Sequence, residues 1–139
     1  MSSRIFFDTA PIIYFLDKSP LYFEKMKQLF YKTANENSQF YTSVITDMEY
    51  VVEPYRENNN QKINNYYAFQ SFLDMKKIDI NTEIASYAGM LRSKYDFLKG
   101  LDSLQIAAAH FYECDCFVTN DKSLLQVKEI KNPLLVCNI

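Results

Sequence analysis

Asp8, Glu49, Asp102 and Asp121 are the residues of this 139-residue chain best placed for chemistry. They lie far apart in sequence, yet each stands where an apolar strand or the start of a helix should set it at one edge of a sheet. Carboxylates gathered in that way repel one another, and their pKa values rise unless a cation or helix N-termini compensate. A Mg²⁺ or Mn²⁺ ion suits them, because hard divalent cations take oxygen ligands. Such an ion lowers the pKa of bound water and clamps phosphate oxygens, and a second ion can stabilise a leaving group. Hydrolysis of a phosphodiester bond is therefore the reaction this set serves best. Asp8 and Asp102 are assigned as the main metal ligands, with Asp121 a ligand directly or through water. Glu49 would hold or orient the attacking water. Thr9 and Thr119 can hydrogen-bond a carboxylate, and Asn120 can support the ligands from behind.

The elements that must position these residues follow from local pattern. Asp8 closes the apolar run Ile5-Phe6-Phe7 and leads into Thr9-Ala10-Pro11-Ile12-Ile13-Tyr14, a strand end turning into a helix. Glu49 follows the strand Gln39-Phe40-Tyr41 in a helix that Ser43 can cap and Pro54 should kink or end, and Asp47 and Glu53 compete with it on the same helix. Asp102 opens the helix of Leu104-Gln105-Ile106-Ala107-Ala108-Ala109, which Gly100 separates from the helix before it. Asp121 ends the strand Cys116-Phe117-Val118-Thr119. Strands are expected near 4–7, 39–42, 76–80, 115–119 and 134–137. Helices are expected at 11–17, 21–36, 61–74 and from Asn81 to Tyr95. Apolar residues surround most of the 61–74 helix, which predicts burial on two sides. Alternation of this kind specifies an α/β fold, a mostly parallel sheet of about five strands covered on both faces. Ligands of such sheets bind beyond the carboxyl ends of the strands, where all four acids can converge.

The order of these segments, an opening Asp8-Thr9, the helical Glu49, Gly100-Leu101-Asp102 running on to Ala107-Ala108, and Thr119-Asn120-Asp121, resembles the PIN-domain ribonucleases. The likeness extends over nearly the whole chain and is greatest to the VapC-like toxins of bacterial toxin–antitoxin pairs. It implies a PIN-like three-layer α/β/α sandwich over residues 1–139 and the same carboxylate cluster, and it favours Glu49 over Asp47 and Glu53. It also implies an Mg²⁺- or Mn²⁺-dependent endoribonuclease restrained by a cognate antitoxin, and a homodimer. The chain departs from the family pattern at Glu53-Pro54, where a glycine is frequent.

Composition narrows the rivals. The formal net charge of −2 supplies no global basic field for nucleic acid, so RNA binding needs local cations such as Arg92, Lys94, Lys99 or Lys122. Each of these is equally an ordinary solvated charge. No apolar run reaches the roughly 20 residues of a membrane span, and no leader is readable at Met1-Ser2-Ser3-Arg4, so a cytoplasmic protein is expected. The three cysteines, Cys114, Cys116 and Cys137, lack zinc-site spacing and read as reduced thiols, two of them in strands. His110 reads as packed or exposed rather than catalytic. A catalytically silent PIN-like module, binding protein or RNA, is the alternative in a different class, and retained, mutually repelling carboxylates count against it. A phosphoryl-transfer enzyme with Asp8 as nucleophile is weaker, because Ala10 stands where a second Asp is usual.

Overall fold

A computed structural model describes residues 3–139; Met1 and Ser2, within the stretch read above for a leader, lie outside them. Five strands form one sheet: β1 (Arg4–Phe7), β2 (Gln39–Ser43), β3 (Lys76–Ile78), β4 (Cys116–Thr119) and β5 (Pro133–Leu135). Their order is β3-β2-β1-β4-β5 and every pairing is parallel. The helices are α1 (Thr9–Leu16), α2 (Phe23–Asn35), α3 (Val44–Arg56), α4 (Asn60–Phe72), α5 (Thr82–Lys94) and α6 (Gly100–Phe111).

Alternation along the central strand divides the core. Phe6 joins Tyr41 and Phe117 on the face covered by α5 and α6, where Ile84, Ala88, Leu91, Ile106 and Ala107 are buried. Ile5 and Phe7 point the other way, into Ile12 of α1, Met26 and Phe30 of α2, Tyr50 of α3 and Tyr66 of α4. Both faces of the sheet are thus helix-covered, the three-layer arrangement expected of parallel strands. Aromatic pairs fill each side: Phe6 stacks on Phe117 at 5.2 Å, and Phe7 meets Phe30 at 5.0 Å.

Chain direction across the sheet turns at β1. The chain fills β2 and β3 on one side, then returns to place β4 and β5 on the other. The gap between the carboxyl ends of β1 and β4 is therefore the topological switch point, where connections diverge and leave a crevice. Asp8 and Asp121 follow those two strands. The Asp8 amide still donates to the Val118 carbonyl at 2.9 Å, one bond beyond the paired strand residues.

Several local expectations need correction. α3 runs through Pro54 and stops at Arg56, so the proline neither ends nor replaces the helix where the family glycine would stand. Because α3 begins at Val44, Glu49 sits in its second turn. The break before α6 is made by residues 95–99, and Gly100 is already helical. α4 buries only Tyr66 and Gln70, because its outer face meets no further layer; Phe72 is 88% exposed. The last strand ends at Leu135, which puts Cys137 in a 3-10 turn spanning Val136–Asn138. All three cysteines are free thiols.

Candidate active site

Asp8 is held at the start of α1, where its Oδ1 accepts from the Thr9 amide at 2.9 Å. Its Oδ2 accepts from the Thr119 hydroxyl, also at 2.9 Å. Both bonds favour the anion, but burial opposes it more strongly, and Asp102 and Glu49 add like charge. The net result pushes Asp8 up to about 6. Asp102, in the first turn of α6, is half-buried. Burial, then the charges of Asp121 and Glu49, raise its pKa, while Lys99 opposes the shift.

Glu49 reaches the site from α3. Its Oε1 accepts from the Thr9 hydroxyl at 2.5 Å. Asp121 is exposed and caps the 3-10 turn Lys122–Gln126, its Oδ1 accepting from the Ser123 amide and hydroxyl. Asn120 hydrogen-bonds none of the four carboxylates: its amide donates to the Tyr14 hydroxyl at 3.3 Å, and its Oδ1 accepts from the Cys137 amide at 3.1 Å. It ties the end of β4 to α1 and to the last turn.

All four acids line one open cleft of about 1060 Å³ at the carboxyl edge of the sheet. Thr9, Thr119 and Asn120 line it too. Residues Ala10, Ile13 and Tyr14 of α1 form one wall, and Ala85, Gly89 and Arg92 of α5 form the opposite one. Lys99 borders it beside Asp102. Lys94 and Lys122 do not reach it, and His110 lies elsewhere, stacked on Tyr87 at 4.2 Å.

Behind the acids runs a buried polar network that sequence reasoning missed. Gln105 of α6 donates from Nε2 to Thr46 at 2.9 Å and to Thr9 at 3.4 Å, and its Oε1 accepts from Ser43 at 2.5 Å. Thr42 hydrogen-bonds the Phe7 carbonyl and Thr46. Because Thr9 gives its proton to Glu49, the Thr46 hydroxyl donates to Thr9 across their 3.0 Å contact. The network thus orders α1, α3 and α6, the helices that begin at or carry three of the acids. The available signal was a glutamine on the buried face of an alanine-rich helix, with Thr42 and Thr46 flanking a strand-to-helix turn.

A family model described as the PIN domain matches residues 5–130. The chain belongs to the PIN-domain family. Solved structures agree in fold. The FitAcB structure from Neisseria gonorrhoeae superposes with a TM-score of 0.75 at 18% identity, covering 97% of this chain and 99% of that one. VapBC2 from Rickettsia felis, bound to a promoter DNA fragment, gives 0.74 at 19% identity over 93% and 96%. A toxin–antitoxin complex from Klebsiella pneumoniae gives 0.67 at 23% identity over 95% and 97%. No curated protein matches the chain in sequence.

The donor chemistry of this PIN domain fits a hard divalent cation. Its cleft offers carboxylate oxygens from four separate elements, and the burial and, to a lesser degree, the mutual repulsion that disfavour charge at Asp8 and Asp102 are costs a cation would relieve. The carboxylates stand apart, however: among the described residues no three Asp, Glu, His or Cys side chains are close enough together to enclose an ion. Asp121 is turned into its own cap, and each Asp8 oxygen already accepts a bond.

Proposed function

We propose that this PIN-domain chain is an Mg²⁺- or Mn²⁺-dependent endoribonuclease and the toxin of a toxin–antitoxin pair. One observation carries the reading: four carboxylates from widely separated segments line one cleft, with Asp8 forced up to about 6 by burial and by its acidic neighbours. Purely structural acids gain nothing from such an arrangement. Asp8 and Asp102 would hold the ion, with Asp121 completing the set directly or through water. A bound divalent ion supplies Lewis acidity, making water acidic enough to attack and offsetting charge on the phosphate.

The chain's own groups do the rest. Thr119 and the Thr9 amide fix the plane of the Asp8 carboxylate. Thr9 occupies Glu49 Oε1, which leaves Oε2 to orient the attacking water and take its proton. Partner readings rest on two apolar surfaces. Phe15, Phe23, Phe30, Phe69 and Phe72 line a groove of about 360 Å³ between α1, α2 and α4. α1 separates this groove from the acid cleft, so an antitoxin segment lying in it can extend a cationic side chain to the carboxylates. On α3, Met48, Val52 and Tyr55 recur at one face and are exposed, a stripe suited to a second copy of the chain.

The test is incubation of antitoxin-free protein with single-stranded RNA, structured RNA and single-stranded DNA, each with Mg²⁺, Mn²⁺ or excess chelator. RNA cleavage should require the ion and fall at least about 100-fold in Asp102→Asn. Undiminished cutting in the variant or in chelator would sink the proposal.

A further inference from the structure

We propose that Arg92 and Lys99 form a phosphate-holding edge of the acid cleft, which takes the backbone of a single-stranded RNA along the α5 wall. The inference rests on the nuclease reading and adds the substrate contact that reading lacks. Several cations of the chain are already committed: Lys94 pairs with Glu129, Lys77 with Asp47 and Arg56 with Glu53. Arg92 and Lys99 have no ion-pair partner among the described residues, and both line the cleft. Arg92 Nε donates to the Leu98 carbonyl at 3.3 Å. That bond ties the guanidinium to the residue before Lys99 and leaves its terminal nitrogens free of protein hydrogen bonds.

Gly89 supplies an independent observation. Glycine inside a helix costs about 1 kcal/mol relative to alanine. Here neither a turn nor a neighbour requires it, since Gly89 has ordinary helical φ and an added Cβ would meet nothing within 4 Å. With Ala85 and Ala88 it keeps the wall between the acids and Arg92 bare, so that a ligand's own backbone can approach closely.

Charge selects the ligand. A chain of net charge −2 with an acidic cleft repels RNA unless cations stand beside the acids. Arg92 offers a planar fork that matches phosphate, and Lys99 a point charge. A cation-loaded acid centre and this edge would both take phosphates repeated along one strand. An acidic protein segment could satisfy the edge but lacks the regularly repeated phosphates that reach the edge and a cation-loaded centre together.

The experiment measures binding of a fluorescein-labelled single-stranded RNA by anisotropy, in Mg²⁺, across a salt series, in the Asp102→Asn background to prevent cutting. Adding Arg92→Gln and Lys99→Gln together should weaken binding about tenfold or more and reduce the slope of log K against log salt by about 1.4, the contribution of two single-strand phosphate contacts. A control pair outside the cleft, Lys32→Gln with Lys131→Gln, should leave both quantities unchanged. Equal affinity and slope in the cleft pair, an equal loss in the control pair, or no RNA binding by the parent would each overturn the edge. Cleavage by the protein with Asp102 intact reports on the nuclease reading separately. Absent cleavage with a reduced slope rejects the nuclease and keeps the edge; cleavage with an unaltered slope does the reverse. Thermal melting of each variant checks folding, which glutamine at two exposed positions should not disturb.

Discussion

Asp8 ends a buried strand with its charge facing two other carboxylates, so its protonation is coupled to folding. Its native pKa of about 6 lies above the ordinary 3.8, which means the folded state holds the proton more tightly than the unfolded chain. Without divalent ions, the contribution of Asp8 to stability should be fully present below about pH 4, decline as pH rises to about 6, and level off above. The loss from this group is about 1–3 kcal/mol, the lower part of the range allowing for its partial contact with water. Asp102, shifted in the same direction, adds to the effect. Urea unfolding in chelator at stepped pH should show this decline in the wild type and a flatter profile in Asp8→Asn. Mg²⁺ should restore stability above pH 6 and do little below pH 4. Superimposable pH profiles for the two proteins would show that Asp8 is not strained. Asp8 was readable because the residue after an apolar strand in an α/β sheet has few places to go. Its bond from Thr119, which lies 111 residues away, depends on the pairing of β1 with β4 and has no local trace.

At the scale of elements, the helices that approach the cleft are held by uncharged groups. Replacing Gln105 by leucine keeps the volume but leaves the buried Ser43 hydroxyl proton without an acceptor and removes one of the three side-chain bonds of Thr46, inside a region closed to water. One orphaned group costs about 1–3 kcal/mol, so Gln105→Leu should lose about that much in urea unfolding. Gln28→Leu, on the exposed side of α2, should stay within about 0.5 kcal/mol. Equal losses in the two would mean that the network is incidental. The element order and the strand-to-helix alternation were legible because short apolar runs bounded by polar turns, such as Ile5-Phe6-Phe7 and Cys116-Phe117-Val118, read the same in any context. α3 was less so. Pro54 lies where only the last turn is affected, and continuing the helix costs one backbone bond. α4 misled for the opposite reason: its aromatic residues imply a buried helix, but the fold provides a layer on one side only, leaving Tyr67 and Phe72 exposed.

At the scale of the whole molecule, those exposed aromatics are the residue of burial that the chain does not complete by itself. The groove between α1, α2 and α4 is concave and lined by phenylalanine rings, whereas the α3 stripe is a ridge of Met48, Val52 and Tyr55. A groove suits a slender segment of another protein, and a self-complementary ridge suits a two-fold contact with a second copy. The two surfaces therefore make opposite demands on mutation. Phe72→Glu should abolish capture of the product of an adjacent antitoxin gene while leaving the mass in solution unchanged. Val52→Glu should convert dimer to monomer by light scattering while leaving capture intact. Each position is exposed, so a charge there costs the fold little. If either substitution removes both properties, a single continuous interface is at work and the division into groove and ridge fails. If the wild type is a monomer at high concentration, the stripe has no second copy to meet and the homodimer is withdrawn, while the groove and its partner remain to be judged by capture alone.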